Sequence, residues 1–517
     1  MKKTLYIIMV AIMSATLSSC EDWLREDAPG STKLEDFFTD GTTAEQSVNA
    51  CYSPLGWEYN NTYFSEWFVG DIASDDAVKG GEYDLDMAAA YDIENFRTTA
   101  NNPLLLQYYR AQYQGIGRCN FSLEYVPSMA TDTLMTAELQ KRYIGEAKFL
   151  RAYYYFRLVR MFGGVPKVDF VIESSNNWKQ PRATAEEIYA LILDDLDDAQ
   201  EYLLVRSEMD TKDLGRATKG AAQAMLMKVN LYLGNHEEAM KWGEKIIGSG
   251  EYDLNPDYAT NFLLEGENGV ESVFEIQYVD DPTSDYGEGN GFSRGTFTTI
   301  LTRSRSSLVA TGGNAGWGFN KPSQDLYDEF EDGDPRRDLT IINPADESIQ
   351  NAVQEIHFGC RYLNRKYANL DAAGNYIALS HHSRGEVNRR EIRYSDVLLM
   401  YAEACIGCNQ NLDKAKEAIN RVRARVGLGE VEATMENLRH ERRVELAMEG
   451  HRWFDLCRWG IAGEVMNAYR IKYGENNANG NTEGTQMKEF VVGKHELMPI
   501  PAEEVRLGGL TQNNGYY

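Results

Sequence analysis

Apolar residues recur at helical spacing through two long blocks of this 517-residue chain. The spacing of three and four positions within residues 143–161 predicts an amphipathic helix, and Gly163 ends the pattern. Thr184 followed by Glu187 matches the capping box that begins a helix, so another helix is predicted from there. The apolar positions of the first helix are Ile144, Ala147, Leu150, Tyr154, Leu158 and Met161.

The same spacing predicts two helical hairpins. Residues 217–233 and 236–247 flank the tight turn Gly234-Asn235, and residues 394–405 and 412–426 flank a second turn. Small alanines after each turn let the paired helices approach closely, which is the packing of tetratricopeptide (TPR) repeats. The predicted fold is mainly α, a TPR-like helical-hairpin scaffold with long irregular loops and minor β structure. Its helical blocks are predicted at about residues 104–250 and 390–470.

Two stretches rich in Gly, Asn, Asp, Ser and Tyr interrupt the helical pattern, at about residues 59–102 and 255–388. Their composition predicts long loops, and long loops in a compact protein usually carry function. A third such stretch, residues 476–485, is predicted to be a solvated insertion. Strand patterns are confined to residues 272–277 and 489–492.

Residues 1–19 have the layout of a lipoprotein signal peptide. Lys2 and Lys3 precede a short apolar stretch, and Leu17-Ser18-Ser19-Cys20 follows it. The stretch is far shorter than the ~20 residues that a membrane-spanning helix needs, so cleavage is predicted. Lipidation of Cys20 would then anchor the mature chain, residues 20–517, which is predicted to be a single domain. The alternative is an ordinary cleaved signal that contains a cysteine.

The other six cysteines are too few for a disulfide framework in a chain of this length. Cys405 and Cys408 have the C-x-x-C spacing of redox motifs, but they end a predicted helix and lack the strand-to-helix context of such motifs. They are interpreted as buried or incidental thiols, with a redox or metal pair as the alternative. No metal site and no cofactor is predicted, because the corresponding motifs are missing.

The charge of the chain excludes one class of partner. The sequence has 79 Asp and Glu against 52 Lys and Arg, a formal net charge of −27. Such a surface repels phosphate backbones, so no nucleic acid is expected as a ligand. Tyrosine is abundant, with 31 residues, but many of them lie in predicted helices and are expected to be scaffold.

The sequence allows two enzymatic interpretations. Residues 291–295 match the G-x-S-x-G motif of α/β-hydrolases at Ser293, but the preceding segment is not the buried strand that this motif requires. A glycan hydrolase that uses two carboxylates has no fixed motif, because its acids need only be about 5–10 Å apart in space. It stays open as the alternative function.

Motifs along nearly the whole chain resemble one family. They are residues 145–152 (GEAKFLRA), 162–166 (FGGVP), 215–219 (GRATK), 393–404 (RYSDVLLMYAEA), 419–423 (INRVR), 441–446 (ERRVEL), 452–460 (RWFDLCRWG), 499–501 (PIP) and 512–516 (QNNGY), with Cys20 followed by Glu21-Asp22. In this order they resemble the SusD/RagB nutrient-uptake lipoproteins of the Bacteroidota outer membrane. Arg442, Glu445, Arg452, Asp455 and Arg458 lie at helical spacings within these motifs and are expected to form ion pairs in the scaffold.

The resemblance implies a function and a location. It implies a non-enzymatic protein that is anchored by lipid, including palmitate, to the outer face of the outer membrane. Such a protein would bind an oligosaccharide or polysaccharide and deliver it to a SusC-like TonB-dependent transporter. The resemblance also implies that the binding site is formed by the two loop regions.

Aromatic and hydrogen-bonding side chains in the loop regions are therefore the candidate ligand contacts, because sugars present apolar C–H faces and hydroxyl rims. The alternative for each aromatic residue is a packing role between loop and scaffold. Trp317→Ala and Trp67→Ala are expected to lower ligand affinity without lowering the melting temperature. The candidates are Trp67, Asp71, Tyr83, Tyr91, Tyr286, Asn290, Phe292, Asn314, Trp317, Phe319 and Asn320.

Overall fold

The computed structural model of the chain describes residues 37–516, apart from 59–64, 84, 173–176, 284–293, 306–315, 344–360, 372–376, 382–383 and 475–486. The helices are α1 Gly41–Tyr52, α2 Trp67–Gly70, α3 Ala88–Glu94, α4 Pro103–Tyr125, α5 Ala137–Phe162, α6 Ala185–Tyr202, α7 Lys219–Tyr232, α8 His236–Ser249, α9 Thr298–Thr302, α10 Gln324–Glu329, α11 Arg336–Thr340, α12 Tyr394–Cys408, α13 Leu412–Arg425, α14 Met435–Glu445, α15 Arg452–Arg458, α16 Ala462–Gly474 and α17 Ala502–Gly508. The strands are β1 Ala77–Gly80, β2 Ser272–Ile276, β3 Phe319–Pro322, β4 Ile341–Ile342, β5 Leu363–Asn364 and β6 Arg389–Arg393.

The long helices begin where the sequence supplies side-chain caps. Asn102 accepts hydrogen bonds from the backbone N–H groups of Leu104 and Leu105, and Pro103 occupies the first turn, so α4 begins there. The capping box predicted at Thr184 and Glu187 is present at the start of α6. These polar caps satisfy N–H groups that the helices leave free.

Helix α5 is the centre of the scaffold. It packs against α4 on one side and α6 on the other, and α7 and α8 form the first predicted hairpin. Helix α8 packs on α12, which forms the second predicted hairpin with α13. The TPR-like helical-hairpin fold is therefore confirmed, and the described hairpin helices lie within about two to four residues of their predicted bounds.

The described residues form three small antiparallel sheets, which join the loop regions to each other and to the scaffold. Strand β1 pairs with β3, β2 with β6, and β4 with β5. Strand β2 covers the predicted strand at residues 272–277. Because β1 comes from the first loop region and β3 from the second, their pairing brings the two regions together.

The predicted strand at residues 489–492 is absent from the described structure. The N–H of Phe490 donates to Oδ1 of Asn467, and its carbonyl oxygen accepts a hydrogen bond from Nδ2 of the same residue. The backbone is thus paired with a helix side chain instead of a strand. The predicted loop regions also contain more regular structure than expected, since α2, α3 and β1 lie in the first and α9–α11 with β2–β5 in the second.

The charged residues of the family-like motifs form buried ion pairs, as predicted. Arg442 contacts Asp396 and Asp455, both at 2.6 Å. Arg452 lies 2.8 Å from Asp75, which belongs to the first loop region. The remaining pairs join Glu445 to Arg336, Arg393 and Arg425, and Arg458 to Glu403 and Asp455.

The described cysteines are free thiols. Burial is the main cause that raises the pKa of Cys405 to about 11, so this thiol is not activated at neutral pH. None of the described helices combines the length and the apolar character needed to cross a bilayer.

Candidate functional site

Two glycine turns meet at the end of the β1–β3 ribbon. Gly80, which pairs with Phe319, has a φ of 73°. A Cβ atom at Gly80 would lie 2.2 Å from the carbonyl oxygen of Gly318, so a larger residue does not fit. The N–H of Gly81 donates to the same oxygen at 2.8 Å, and the segments on either side of the ribbon are thereby held together. The surface formed by residues 81–83, 85–87, 303–305 and 316–318 is named the loop face.

The loop face exposes apolar side chains. Tyr83 is 51% exposed and Leu85 is 74% exposed. Trp317 is half-buried, and its N–H donates to the carbonyl oxygen of Ile300 in α9 at 2.9 Å. This hydrogen bond fixes the backbone, and the ring packs in part against the core while the rest of it stays accessible, which suits stacking on a ligand.

Arg305 joins the three segments of the loop face. Its Nη2 lies 2.8 Å from Oε2 of Glu82, and its Nη1 lies 3.9 Å from Oδ2 of Asp86. Nη1 also lies 3.5 Å from the carbonyl oxygen of Trp317. The guanidinium and the two carboxylates provide donors and acceptors beside the apolar side chains, which is the mixture that hydroxyl groups require.

A buried lysine supports the loop face from below. Lys79 is 1% exposed, and its Nζ donates to the carbonyl oxygens of Tyr83 at 2.9 Å and Asp86 at 2.5 Å. The same Nζ lies 5.3 Å from the ring centroid of Tyr91 and 5.7 Å from that of Phe319. The backbone that presents Tyr83 is therefore fixed before any ligand arrives, which lowers the entropic cost of binding.

Five of the predicted ligand residues lie beneath the surface. Each has interior partners that explain its conformation, so their burial favours the packing alternative over direct contact. Direct contact by these five stays a prediction, and the accessible candidates are Tyr83 and Trp317. The five are Trp67, Asp71, Tyr91, Phe319 and Asn320.

Asp71 and Asn320 contact each other in the interior. Oδ2 of Asp71 accepts a hydrogen bond from Nδ2 of Asn320 at 2.9 Å, and its Oδ1 accepts one from the N–H of Gly450 at 2.8 Å. Burial is the main cause that raises the pKa of Asp71 to about 7, and the nearby charge of Asp76 raises it further. The hydrogen bonds and the charge of Lys366 oppose this shift without cancelling it.

Replacing Asp71 with Asn is expected to flatten the pH dependence of unfolding. The pKa of Asp71 is about 7 in the folded chain and ~3.9 in the unfolded chain, so the folded chain binds more protons between these values. The stability that Asp71 contributes is therefore present below pH ~4 and is lost as the pH rises to about 7. The substituted amide keeps the neutral form at every pH, and a flip of the Asn320 amide lets it accept the new donor.

Urea unfolding from pH 4 to pH 8 measures this effect. As the pH rises from 4 to 8, the free energy of unfolding of Asp71→Asn should increase relative to that of the wild type by on the order of 2–4 kcal/mol. Burial and the neighbouring Asp75 also raise the pKa of Asp76, to about 6; both proteins retain this group, so it largely cancels in the difference. Asp338→Asn, at a side chain that is 72% exposed, is the control. A difference between wild type and variant that does not change with pH would contradict the argument.

Several predictions fall outside the described residues. These are the lipidation site Cys20, the insertion at residues 476–485, Ser293, and four ligand candidates. The candidates are Tyr286, Asn290, Phe292 and Asn314.

Sequence reasoning missed two residues of the loop face, Leu85 and Arg305, and the buried Lys79 beneath it. Leu85 is aliphatic and so lacks the aromatic character expected of a sugar contact, although its place four residues after Gly81 favours exposure. Arg305 and Lys79 donate to backbone carbonyl groups, and Arg305 also contacts carboxylates that are distant in sequence. No local sequence pattern predicts such contacts. Among the described residues, no group of three or more His, Cys, Asp and Glu side chains could hold a metal ion.

The chain matches two family models and several known proteins. The SusD family model matches residues 270–516, and a model described as "Starch-binding associating with outer membrane" matches residues 24–231. SusD-like protein P2 from Formosa agariphila is 26% identical over 557 residues, with 100% of both chains covered.

Solved structures share the fold. A laminarin-binding SusD-like protein is 28% identical with a TM-score of 0.79, and the match covers 92% of this chain and 100% of that one. Surface glycan-binding protein A from Bacteroides thetaiotaomicron, in complex with laminarihexaose, is 27% identical with a TM-score of 0.77 and coverages of 92% and 99%. The helical-hairpin scaffold and the two family matches, which together extend from residue 24 to residue 516, show that this chain belongs to the SusD/RagB family.

Proposed function

We propose that this protein binds a neutral glycan through the loop face and delivers it to a SusC-like TonB-dependent transporter. In this proposal the mature chain is anchored by lipid at Cys20 to the outer face of the outer membrane. The anchor, the location and the transporter follow from the motifs shared with the SusD/RagB family. Glycan binding is also supported by the similar proteins, whose names refer to glycans and laminarin.

The observation that carries the binding proposal is the composition of the loop face. Exposed Tyr83 and Leu85 lie beside half-buried Trp317, on backbone that Lys79 holds in place. Apolar surface next to fixed donors and acceptors complements the alternating C–H faces and hydroxyl groups of a sugar chain.

A binding role without catalysis fits the carboxylates of this surface. Glu82 and Asp86 both lie within 4.0 Å of Arg305, so both carboxylates are engaged in ion pairs with one guanidinium group. A glycoside hydrolase needs one carboxyl group that stays protonated to donate to the leaving oxygen. Release of reducing ends from laminarihexaose by the purified protein would support the hydrolase instead.

Trp317→Ala and Tyr83→Ala are each expected to weaken the binding of laminarihexaose by at least about tenfold, which corresponds to ~1.4 kcal/mol. The reason is the loss of a positioned aromatic surface from a site with few other large apolar groups. Isothermal titration calorimetry measures the affinity, and thermal unfolding checks that each variant is folded.

Trp178→Ala is the matched control, because Trp178 is 44% exposed and lies outside the loop face. It should leave the affinity unchanged. If laminarihexaose does not bind the wild type, a panel of cellohexaose, xylohexaose, mannohexaose and maltohexaose replaces it. Equal binding of a hexaose by the wild type and both loop-face variants would refute the proposed site.

A further inference from the structure

A second cavity lies apart from the loop face, between α1, the segment before α7 and the end of β2. Its volume is about 660 Å³, within the ~300–1,000 Å³ range of small-molecule sites. This cavity is named the β2 groove. The residues that line it and carry the argument below are Ser53, Leu55, Leu214, Ile276, Tyr278 and Val279.

The β2 groove combines an apolar interior with a polar rim. Leu55 and Ile276 are buried at its base. Leu214 and Val279, which also line the groove, remain 48% and 46% exposed. Around them stand hydroxyl, amide and cationic side chains, among them Ser53. Apolar surface beside hydrogen-bonding groups complements the C–H faces and hydroxyl groups of a sugar chain, as at the loop face.

Buried hydrogen bonds of Tyr278 and exposed ones of Gln277 hold the walls of the β2 groove in place. The N–H of Tyr278 donates to Oδ1 of Asn388 at 2.9 Å, and its hydroxyl donates to Oε1 of Glu58 at 2.9 Å. Gln277 exchanges hydrogen bonds of 2.9 and 3.0 Å with Asn268. A preformed groove binds with less ordering cost than a flexible one.

The same hydrogen-bond network connects the β2 groove to the scaffold of the loop face. Oε2 of Glu58 accepts from the N–H groups of Phe297 at 2.8 Å and Thr298 at 3.1 Å. Thr298 begins α9, and residues 303–305 of the loop face follow this helix directly. The β2 groove and the loop face therefore share one hydrogen-bonded framework.

The charges at the β2 groove are largely compensated, which favours a neutral ligand. Arg216 lies 2.8 Å from Glu146 and 3.3 Å from Asp213. Arg294 lies 3.1 Å from Asp281. Lys212, the third cation of the lining, interacts electrostatically with Asp213. With its cations opposed by acids in this way, the groove does not present the uncompensated positive charge that would select an anionic sugar.

We propose that the β2 groove is a second carbohydrate-binding site, which holds a further stretch of the same neutral glycan chain that the loop face binds. The proposal rests on the glycan-binding function proposed above. A polymer that contacts both sites gains avidity, whereas a short oligosaccharide occupies either site alone.

Two groove variants test the proposal. Leu214→Ala with Val279→Ala removes the apolar walls, and Ser53→Trp fills the groove from an exposed position at its edge. Leu412→Ala with Val270→Ala is the matched control, because these side chains are 41% and 37% exposed and lie outside the groove. Each variant is made in the wild type and in Trp317→Ala, and thermal unfolding confirms that it is folded.

The probes are laminarihexaose and laminarin. We expect native mass spectrometry to detect two laminarihexaose molecules on the wild type and one on Trp317→Ala. Introducing either groove variant into Trp317→Ala should abolish the binding of this remaining molecule. In the wild-type background the groove variants should weaken laminarin binding by about tenfold or more. The control pair should change neither result.

The outcomes separate the two proposals. A single laminarihexaose molecule that Trp317→Ala abolishes, with laminarin binding unaffected by the groove variants, overturns the second site and leaves the loop face intact. Hexaose binding that the groove variants abolish and Trp317→Ala does not affect supports the groove and overturns the loop face. Absence of binding to laminarin and to the panel of neutral hexaoses overturns both. Capture of an unstructured peptide by the groove, without glycan, overturns the second site.

Discussion

Replacing Arg393 with Met is expected to lower the free energy of unfolding by about 3–5 kcal/mol, because the substitution takes a shared cation away from three buried carboxylates. Arg393 is 2% exposed. Its Nη1 lies 2.6 Å from Oε1 of Glu271 and 2.9 Å from Oε1 of Glu445, and its Nε lies 2.8 Å from Oε2 of Glu449. No other single side chain in the described structure joins these three acids.

The remaining cations compensate the loss only in part. Burial raises the pKa of Glu449, but the charges of Arg393 and Lys366 outweigh it and lower the pKa to about 2. Lys366 alone remains 2.7 Å from Glu449 in the variant. The buried carboxylate then takes up a proton at higher pH than in the wild type, so the difference in stability between wild type and variant should be largest near neutral pH and should shrink as the pH falls.

Urea unfolding of the wild type, Arg393→Met, Glu449→Gln and the double variant measures the coupling. The double variant should be less destabilised than the sum of the two single changes, since each removes the charge that the other leaves unpaired. Arg337→Met is the matched control, because Arg337 pairs with exposed Asp338 at 3.4 Å; an exposed pair is worth only about 0–1 kcal/mol. Equal destabilisation by Arg393→Met and Arg337→Met would show that the buried network does not stabilise the fold.

The buried ion pairs show which contacts the sequence could predict and which it could not. The helical spacing of Arg442, Asp455 and Arg458 predicted ion pairs, and Asp455 does contact both arginines. Most of the partners, however, come from distant parts of the chain, as Asp75 does for Arg452. Periodicity reports which residues share a helix face but not which loop returns to cover it.

In the loop regions the sequence predicted less regular structure than is present. Their Gly and Asn content predicted irregular structure, yet the first region contains α2, whose residues Trp67-Phe68-Val69 are all buried. Composition averaged over 40 residues concealed this short apolar run, and a helix of four residues is too short to show a period. The pairing of β1 with β3 across more than 200 residues likewise has no local signal.

Trp67→Ala is expected to lower stability by about 3–5 kcal/mol, the range for truncating a large buried aromatic side chain. Trp67 is 2% exposed, and its ring stacks on Phe68 with centroids 4.1 Å apart. Its Nε1 donates to Oγ1 of Thr298 in α9 at 3.2 Å, so the substitution leaves both a cavity and a lost hydrogen bond. This reverses the expectation from sequence that the melting temperature would not fall.

Thermal and urea unfolding of Trp67→Ala, beside calorimetry with laminarihexaose, separates the two roles. Below the unfolding transition the variant should keep its affinity, because the ring is covered and Trp317 and Tyr83 are unchanged. Trp178→Ala, at an exposed tryptophan, should change stability by no more than about 0.5 kcal/mol. An unchanged melting temperature with weakened glycan binding would instead place Trp67 in contact with the ligand, and α2 would then have to uncover its ring on binding. A buried tryptophan that holds α9 beneath the loop face thus affects binding through the number of folded molecules, whereas an accessible one affects the affinity itself.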